Sequence, residues 1–355
     1  MSFSMGFNFP SWWFDSYSQS WSDDSFREML ATKPNVVAVE PFWYQTDQFA
    51  TTMRAHRDRT ATDASVEHVI ALAHDNGLKV MLKPYVDAEN GVWRGQFQPS
   101  NPTAWFASYK SFAVYYAKMA ERLRVASYVI GSEYATLSTP QYAEKWRDII
   151  RAVRQEYHGA IGYGANWGTK GNAEYEKINW WDALDFIGIQ AYFPVSTTNA
   201  SRFADMRSGW KSIQYEGREE RWIDQITAVH DRYQKPVIFT EAGYKSCDGG
   251  TRITWWCNPV AKVDLQEQAD GIEALLDTWK DTPWVTGIVW WMWNIKPWIG
   301  GTTDKDHNLN RKKPALDVLV KYCVVVTAPV LPTPSIPPSA PPELPQTVKG
   351  EQGEP

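Results

Sequence analysis

Val237-Ile238-Phe239-Thr240-Glu241-Ala242-Gly243-Tyr244 is an apolar, β-rich run that meets a carboxylate near its end, and Tyr128-Val129-Ile130-Gly131-Ser132-Glu133-Tyr134 has the same form. Working outward, runs of this kind occur at Ser2 to Phe9, Val36 to Tyr44, Leu78 to Val86, Ser127 to Tyr134, Ile161 to Asn166, Phe186 to Phe193, Pro236 to Tyr244 and Gly287 to Asn294. Helical patterns separate most of them. Eight strands alternating with helices imply a parallel sheet, and a count of eight implies closure into a (β/α)8 TIM barrel. No G-x-G-x-x-G follows the first run, which argues against an open, dinucleotide-binding sheet.

Two helices are clear from their punctuation. Pro140 to His158 has Thr139 as N-cap, Pro140 at N1 and Gly159 as its stop, with Trp146, Ile149, Ile150, Val153 and Tyr157 as its apolar stripe. Asp63 to Asn76 places Val66, Val69, Ile70 and Ala73 at helical spacing and ends at Gly77. The chain is 355 residues long, which suits a barrel of roughly 250 residues with elaborated loops and a tail. Residues 1–323 read as one catalytic domain and 324–355 as a Pro-rich linker or disordered tail. The segment Thr327 to Pro355 holds nine of the 22 prolines and little that could build a core. Such a linker is compatible with a second module beyond it, or with none.

Composition narrows the partners. Hydrophobic residues are 43% of the chain, enough for a large core, and the net charge is −5 with no Lys/Arg block. The attraction to phosphate on which nucleic-acid binders depend is therefore missing. No run of about 18 apolar residues exists to span a bilayer. The N-terminus lacks signal-peptide character, so the expected extracellular location requires a leader that is not in this chain. Cys247 and Cys257 are ten residues apart in one loop, and either a bridge with Cys323 left over or three free thiols fits the spacing. Twenty Trp, 17 Tyr and 14 Phe exceed what a core readily holds, because each buried indole N–H needs a partner. The surplus suggests an aromatic-lined cleft that stacks on the apolar faces of sugar rings.

In a barrel, chemistry collects where strands end. Alternation puts Val129, Gly131 and Glu133 on one face, and Val237, Phe239 and Glu241 on one face. Both carboxylates are thus expected to point inward from opposite sides of the ring. Glycoside cleavage needs such a pair: one carboxyl protonates the leaving oxygen while the other attacks or stabilises the anomeric carbon. The competing reading is a pair of salt-bridged strand-end glutamates. Neither a metal nor a cofactor is expected, since the six histidines are scattered without H-E-x-x-H, and no G-x-S-x-G elbow supports a serine hydrolase.

The chain also resembles glycoside hydrolase family 113, the β-1,4-mannanases, within the clan of retaining (β/α)8 glycosidases that carry a Glu after strand four and a Glu after strand seven. The resemblance runs from Gly6 to Tyr322. Its motifs are Leu78-Lys79-Val80-Met81-Leu82-Lys83-Pro84, Trp93-Arg94-Gly95, Gly131-Ser132-Glu133, Ala165-Asn166-Trp167-Gly168, Ala191-Tyr192-Phe193-Pro194 and Phe239-Thr240-Glu241-Ala242-Gly243-Tyr244. It implies that Glu133 is the general acid/base and Glu241 the nucleophile of a retaining endo-mannanase acting on mannan or mannooligosaccharides, with carboxyls about 5 to 5.5 Å apart. It further implies that Tyr192 hydrogen-bonds the nucleophile and that Asn166 and Trp167 lie near the sugar. Ser132 stands where the clan often has Asn, so other groups must serve the sugar 2-hydroxyl.

Further substrate contacts are expected from Trp291 as a sugar platform, from Trp12, Trp13, Trp43 and Trp93 as subsites, and from Lys83, Tyr85 and Asp87 toward hydroxyls. An inward salt bridge from Lys83 to a barrel carboxylate is the other reading of that residue. The rival functions are the same barrel acting on another β-glycan, such as a glucan or galactan, and a carbohydrate-binding barrel without catalysis.

Overall fold

A computed structural model, which describes residues 3–199 and 201–325, joins the apolar runs into a closed ring of eight parallel strands. They are Ser4–Ser11, Val36–Gln45, Lys79–Leu82 resumed at Tyr85–Ala88, Ser127–Ser132, Ala160–Asn166, Phe186–Ala191, Val237–Ala242 and Val285–Trp290, numbered one to eight below. Each strand pairs with the next. Strand one closes the ring by pairing with both strand two, Gly6 opposite Val36, and strand eight, Ser4 opposite Gly287. Strand three is interrupted at Lys83-Pro84, where proline has no N–H for the ladder.

The interior is layered. Val36, Ala38, Met81, Val129, Phe186 and Val289 form an apolar plug. Nearer the C-terminal mouth the inward side chains turn polar: Asn8, Glu40, Lys83, Ser132, Gln190 and Thr240 are all fully buried. Outside the strands the helices pack through large aromatics. Nine tryptophans, including Trp105, Trp146, Trp180 and Trp222, are almost completely hidden. Most find the indole partner that burial demands: Trp105 donates to Gln45 Oε1 and Trp146 to the Leu137 carbonyl, both at 2.8 Å.

Helix Asp63–Asp75 starts as its sequence implies, with Thr62 Oγ1 accepting from the Ser65 N–H, and Gly77 takes a positive φ of 73° beyond its end. The helix expected over Pro140 to His158 is shorter. Its first turn, Pro140–Tyr142, is 3-10, the α-helix spans Ala143–Arg154, and Thr139 does not cap it. The chain leaves the helix before Gly159 because Tyr157 turns to give its hydroxyl to the Val125 carbonyl and Arg154 reaches the Gly159 carbonyl.

The boundary expected after Cys323 falls inside a helix, Lys313–Val325, that packs on helix Leu265–Trp279. The Pro-rich segment lies outside the described residues. Cys247 and Cys257 are disulfide-bonded, and Cys323 is unpaired. Among the described residues, no helix is long and apolar enough to cross a membrane.

Candidate active site

The polar upper layer of the barrel opens into a cleft of about 710 Å³ lined by Trp12, Phe42, Asp87, Trp93, Arg94, Glu133, Asn166, Trp167, Tyr192, Glu241, Lys245, Trp255, Trp291, Asp306 and His307. Simple alternation does not deliver the two carboxylates to it. Phe239 faces outward against Trp210 and Trp279, whereas Thr240 bonds Gln190 inside the barrel. A register shift between Phe239 and Glu241 then brings Glu241 inward as well. Strand four behaves likewise: a shift between Val129 and Ser132 leaves Gly131 facing Tyr109 of the outer helix layer, and Ser132 facing Gln190. Glu133 follows at a left-handed φ of 57°, a rare conformation for a residue with a Cβ, and this aims its carboxyl into the cleft.

Glu241 is held on both oxygens. Oε1 accepts from Lys83 Nζ at 2.8 Å, from Gln190 Nε2 at 3.1 Å and from the Tyr85 hydroxyl, and Oε2 accepts from the Tyr192 hydroxyl at 2.7 Å. Burial alone would push this carboxyl up. The Lys83 charge and the Lys83, Tyr85 and Tyr192 hydrogen bonds outweigh it and hold Glu241 below the usual carboxylate range. Glu133 is placed differently. It accepts from Trp93 Nε1 at 3.2 Å and stands 3.6 Å from Arg94, whose guanidinium is committed to Asp87 at 2.6 Å. Burial, then the neighbouring Glu241 charge, pushes it up to about 7.

Below Glu241, Lys83 Nζ also lies 2.7 Å from Glu40 Oε1. Both side chains of this ion pair are fully buried. Burial raises Glu40 to about 8 against the pull of Lys83.

The residues named from sequence therefore divide. Glu133, Glu241, Tyr192, Asp87, Trp93, Asn166, Trp167 and Trp291 line the cleft. Lys83 and Tyr85 do not: both are fully buried and bond Glu241 from beneath, so the salt-bridge reading of Lys83 holds. Trp43 is not at the site. Strand two turns Ala38, Glu40 and Phe42 inward, leaving Trp43 to pack on Phe112, Tyr115 and Tyr116 of the outer helix Pro102–Arg122. Trp13 lines a neighbouring groove instead. Asp87 is paired with Arg94, which leaves it less free to meet a hydroxyl.

Sequence reasoning missed Glu40 and Gln190, although parity along strands two and six marks both as inward polar groups near strand ends. It also missed His307, Asp306, Lys245 and Trp255, which arrive on long loops after strands seven and eight and have no periodic signal. His307 packs edge-on against Tyr192, pairs with Asp306 and bonds the Thr254 carbonyl at 2.7 Å. Away from the cleft, carboxylate oxygens of Asp248, Asp264 and Glu267 lie within 4.8 Å of one another. Asp264 caps a helix through the Glu267 N–H, while Glu267 accepts from Gly249 and Thr251, so the cluster is accounted for by loop structure.

No curated protein matched the chain. Among solved structures, a β-1,4-mannanase of glycoside hydrolase family 113 is 27% identical with a TM-score of 0.79, over 91% of this chain and 99% of that one. A family 113 β-mannanase from Alicyclobacillus acidocaldarius, in complex with ManMIm, is 25% identical with a TM-score of 0.80, over 92% and 99%. The family model for Glycoside Hydrolase Family 113 matches residues 5–312. Two inward glutamates on strands four and seven, in an aromatic-lined cleft of a barrel matched along nearly its whole length, identify the chain as a member of glycoside hydrolase family 113.

Proposed function

We propose that this enzyme is a retaining endo-β-1,4-mannanase that cleaves mannan and mannooligosaccharides by double displacement between Glu241 and Glu133. The observation that carries the reading is the unequal setting of two carboxyls in one cleft: Glu241 accepts from Lys83, Tyr85, Gln190 and Tyr192 and is held low, whereas Glu133 accepts from Trp93 alone, and burial and the Glu241 charge raise it to about 7. Near neutrality one is an anion able to attack and the other retains a proton to give.

In the first step the Glu241 carboxylate attacks the anomeric carbon and the glycosidic C–O bond breaks as Glu133 gives its proton to the leaving oxygen. The product is a glycosyl ester on Glu241 and a Glu133 carboxylate. In the second step Glu133 takes a proton from water, the resulting oxygen attacks the same carbon, and the ester bond breaks to restore Glu241. Tyr85, Lys83, Gln190 and Tyr192 fix the attacking carboxylate, so little reorganisation is needed at the moment of reaction. Trp291 is the platform beneath the reacting sugar, and Trp93, Asn166, Trp167 and Trp255 form the walls.

The loop disulfide supports an oxidising, extracellular setting, and residues 1–323 or slightly beyond form the catalytic domain.

The test is hydrolysis of mannohexaose with NMR of the first-formed anomer, alongside cellohexaose and a galactan oligosaccharide. Retained β-configuration in the wild type and loss of turnover in both Glu241→Ala and Glu133→Ala are expected. Near wild-type rates in either variant would sink the mechanism, and faster cleavage of another glycan would reassign the substrate.

A further inference from the structure

In the polar layer beneath the cleft, Lys83 Nζ stands between two carboxyls, 2.7 Å from Glu40 Oε1 and 2.8 Å from Glu241 Oε1. It also donates to the Thr240 carbonyl at 3.2 Å. Lys83 and Glu40 are fully buried, and Glu241 is nearly so. One cation therefore serves two acids in a place where solvent is too far away to screen a surplus charge.

A buried charge is costly unless it is paired, so this layer is most stable with one carboxyl ionised and the other protonated. In the resting enzyme the ionised one is Glu241, because Tyr85, Gln190 and Tyr192 donate to it as well. The charged and titratable groups that act on the Glu40 carboxyl are Lys83, Glu241, Arg94 and Tyr85, while the Tyr17 hydroxyl bonds its backbone N–H and carbonyl. Burial, helped by the Glu241 charge, outweighs Lys83 and Arg94 and keeps the proton on Glu40.

Catalysis upsets this balance. As a Glu241 oxygen lone pair forms the bond to the anomeric carbon, the bond to the leaving oxygen breaks with its electrons, and that oxygen takes the Glu133 proton. The negative charge has then moved from Glu241 to Glu133, which stands by Trp93 and Arg94 and so does not replace the partner that Lys83 has lost. Lys83 is left facing a neutral ester and a neutral acid.

We infer that Glu40 is the charge reserve of the reaction: it is protonated in the resting enzyme, loses its proton to solvent when Glu241 becomes an ester, and regains one when the ester is hydrolysed. Its O–H bond breaks with the electron pair left on Glu40, so Lys83 keeps one carboxylate partner throughout. Glu40 does not touch the sugar and is a positioning residue that acts through Lys83. The inference rests on the double-displacement reading above.

The experiment counts protons. The probe is a β-mannotriosyl fluoride with fluorine in place of the 2-hydroxyl of the reacting unit, which forms the ester on Glu241 and is hydrolysed slowly. Fluoride leaves as the anion and takes no proton, so Glu133→Gln still accepts the label and Glu133 drops out of the count. In Glu133→Gln at about pH 6.5, an indicator dye should report about one proton released per ester, the ester being counted by mass spectrometry. The release should fade as the pH is raised through about 8, where Glu40 is already ionised. Adding Glu40→Gln should abolish it. With Glu133 intact, Glu40→Gln should slow ester formation about tenfold and leave ester hydrolysis no slower, since only the ester lacks a partner for Lys83.

No proton release from fully labelled Glu133→Gln overturns the inference, even if the double variant does not fold. Undiminished release in the double variant would assign the proton to Lys83 and overturn it equally, as would equal slowing of ester formation and hydrolysis. Absence of label on Glu241 in the wild type would overturn the double-displacement reading instead.

Discussion

Tyr192→Phe removes one hydrogen bond from Glu241 and almost nothing else. The hydroxyl stands 2.7 Å from Oε2, the oxygen that Lys83, Tyr85 and Gln190 do not serve. The ring should stay in place, because Thr254 Oγ1 bonds the Tyr192 carbonyl at 2.6 Å and His307 packs against the ring. A hydrogen bond to a charged group contributes about 1.5–3 kcal/mol, and 1.36 kcal/mol corresponds to one pKa unit, so Glu241 should rise by about one to two units. Glu241 must be ionised to attack, so the acid limb of the kcat/KM profile should move toward neutrality by that amount. The alkaline limb reports loss of the Glu133 proton and should stay near pH 7. The assay is kcat/KM on mannohexaose from pH 3 to 9 for wild type and variant. An unmoved acid limb, or both limbs moving together, would refute the argument that Tyr192 selectively steadies the nucleophile.

Other perturbations probe the buried charges and the loop. Lys83→Met strands two buried carboxyls, Glu40 and Glu241, and should cost about 3–5 kcal/mol in denaturant unfolding as well as raise the acid limb; unchanged stability would mean the ion pairs are dispensable. Glu40 has a folded value of about 8 against an ordinary 4.5, so its contribution to stability is full below pH 4.5 and is lost as pH rises to about 8. Thermal midpoints of Glu40→Gln should therefore fall less than those of wild type between pH 4.5 and 8, and parallel curves would contradict the assignment. Cys257→Ser opens the loop that carries Trp255 over Trp167; KM should rise several-fold with kcat nearly kept, and about 2–3 kcal/mol of loop constraint should be lost. An unaltered KM would mean that Trp255 holds its position without the bridge.

How much was legible depended on whether a feature followed a period. Strand order, the count of eight and the assignment of Glu133 and Glu241 to strand ends came from apolar runs that any reader of the chain can mark. Parity was safer for some strands than others. Along strand two, an unbroken alternation from Val36 and Ala38 makes Phe42 the inward residue, and the large Trp43 beside it belongs to the helix layer. Size drew attention to Trp43, and parity should have overruled it. On strands four and seven the opposite holds: parity carried to the end would place Gly131 and Phe239 inside, and both face out.

By itself the sequence determined the fold class, because hydrophobic period and helix punctuation are local properties of a chain and eight βα units have one economical way to bury their strands. It also carried the identity of the two carboxylates, since a Glu closing an apolar strand is costly unless it has work to do. Only the tertiary structure decided how those carboxylates differ. Register shifts in two strands, a positive φ at Glu133 and the meeting of Lys83, Tyr85, Gln190 and Tyr192 around Glu241 bring together residues from four strands. A charge's environment is set by neighbours in space, which distance along the chain does not encode, so the low Glu241 and the raised Glu133 exist only once the barrel has closed.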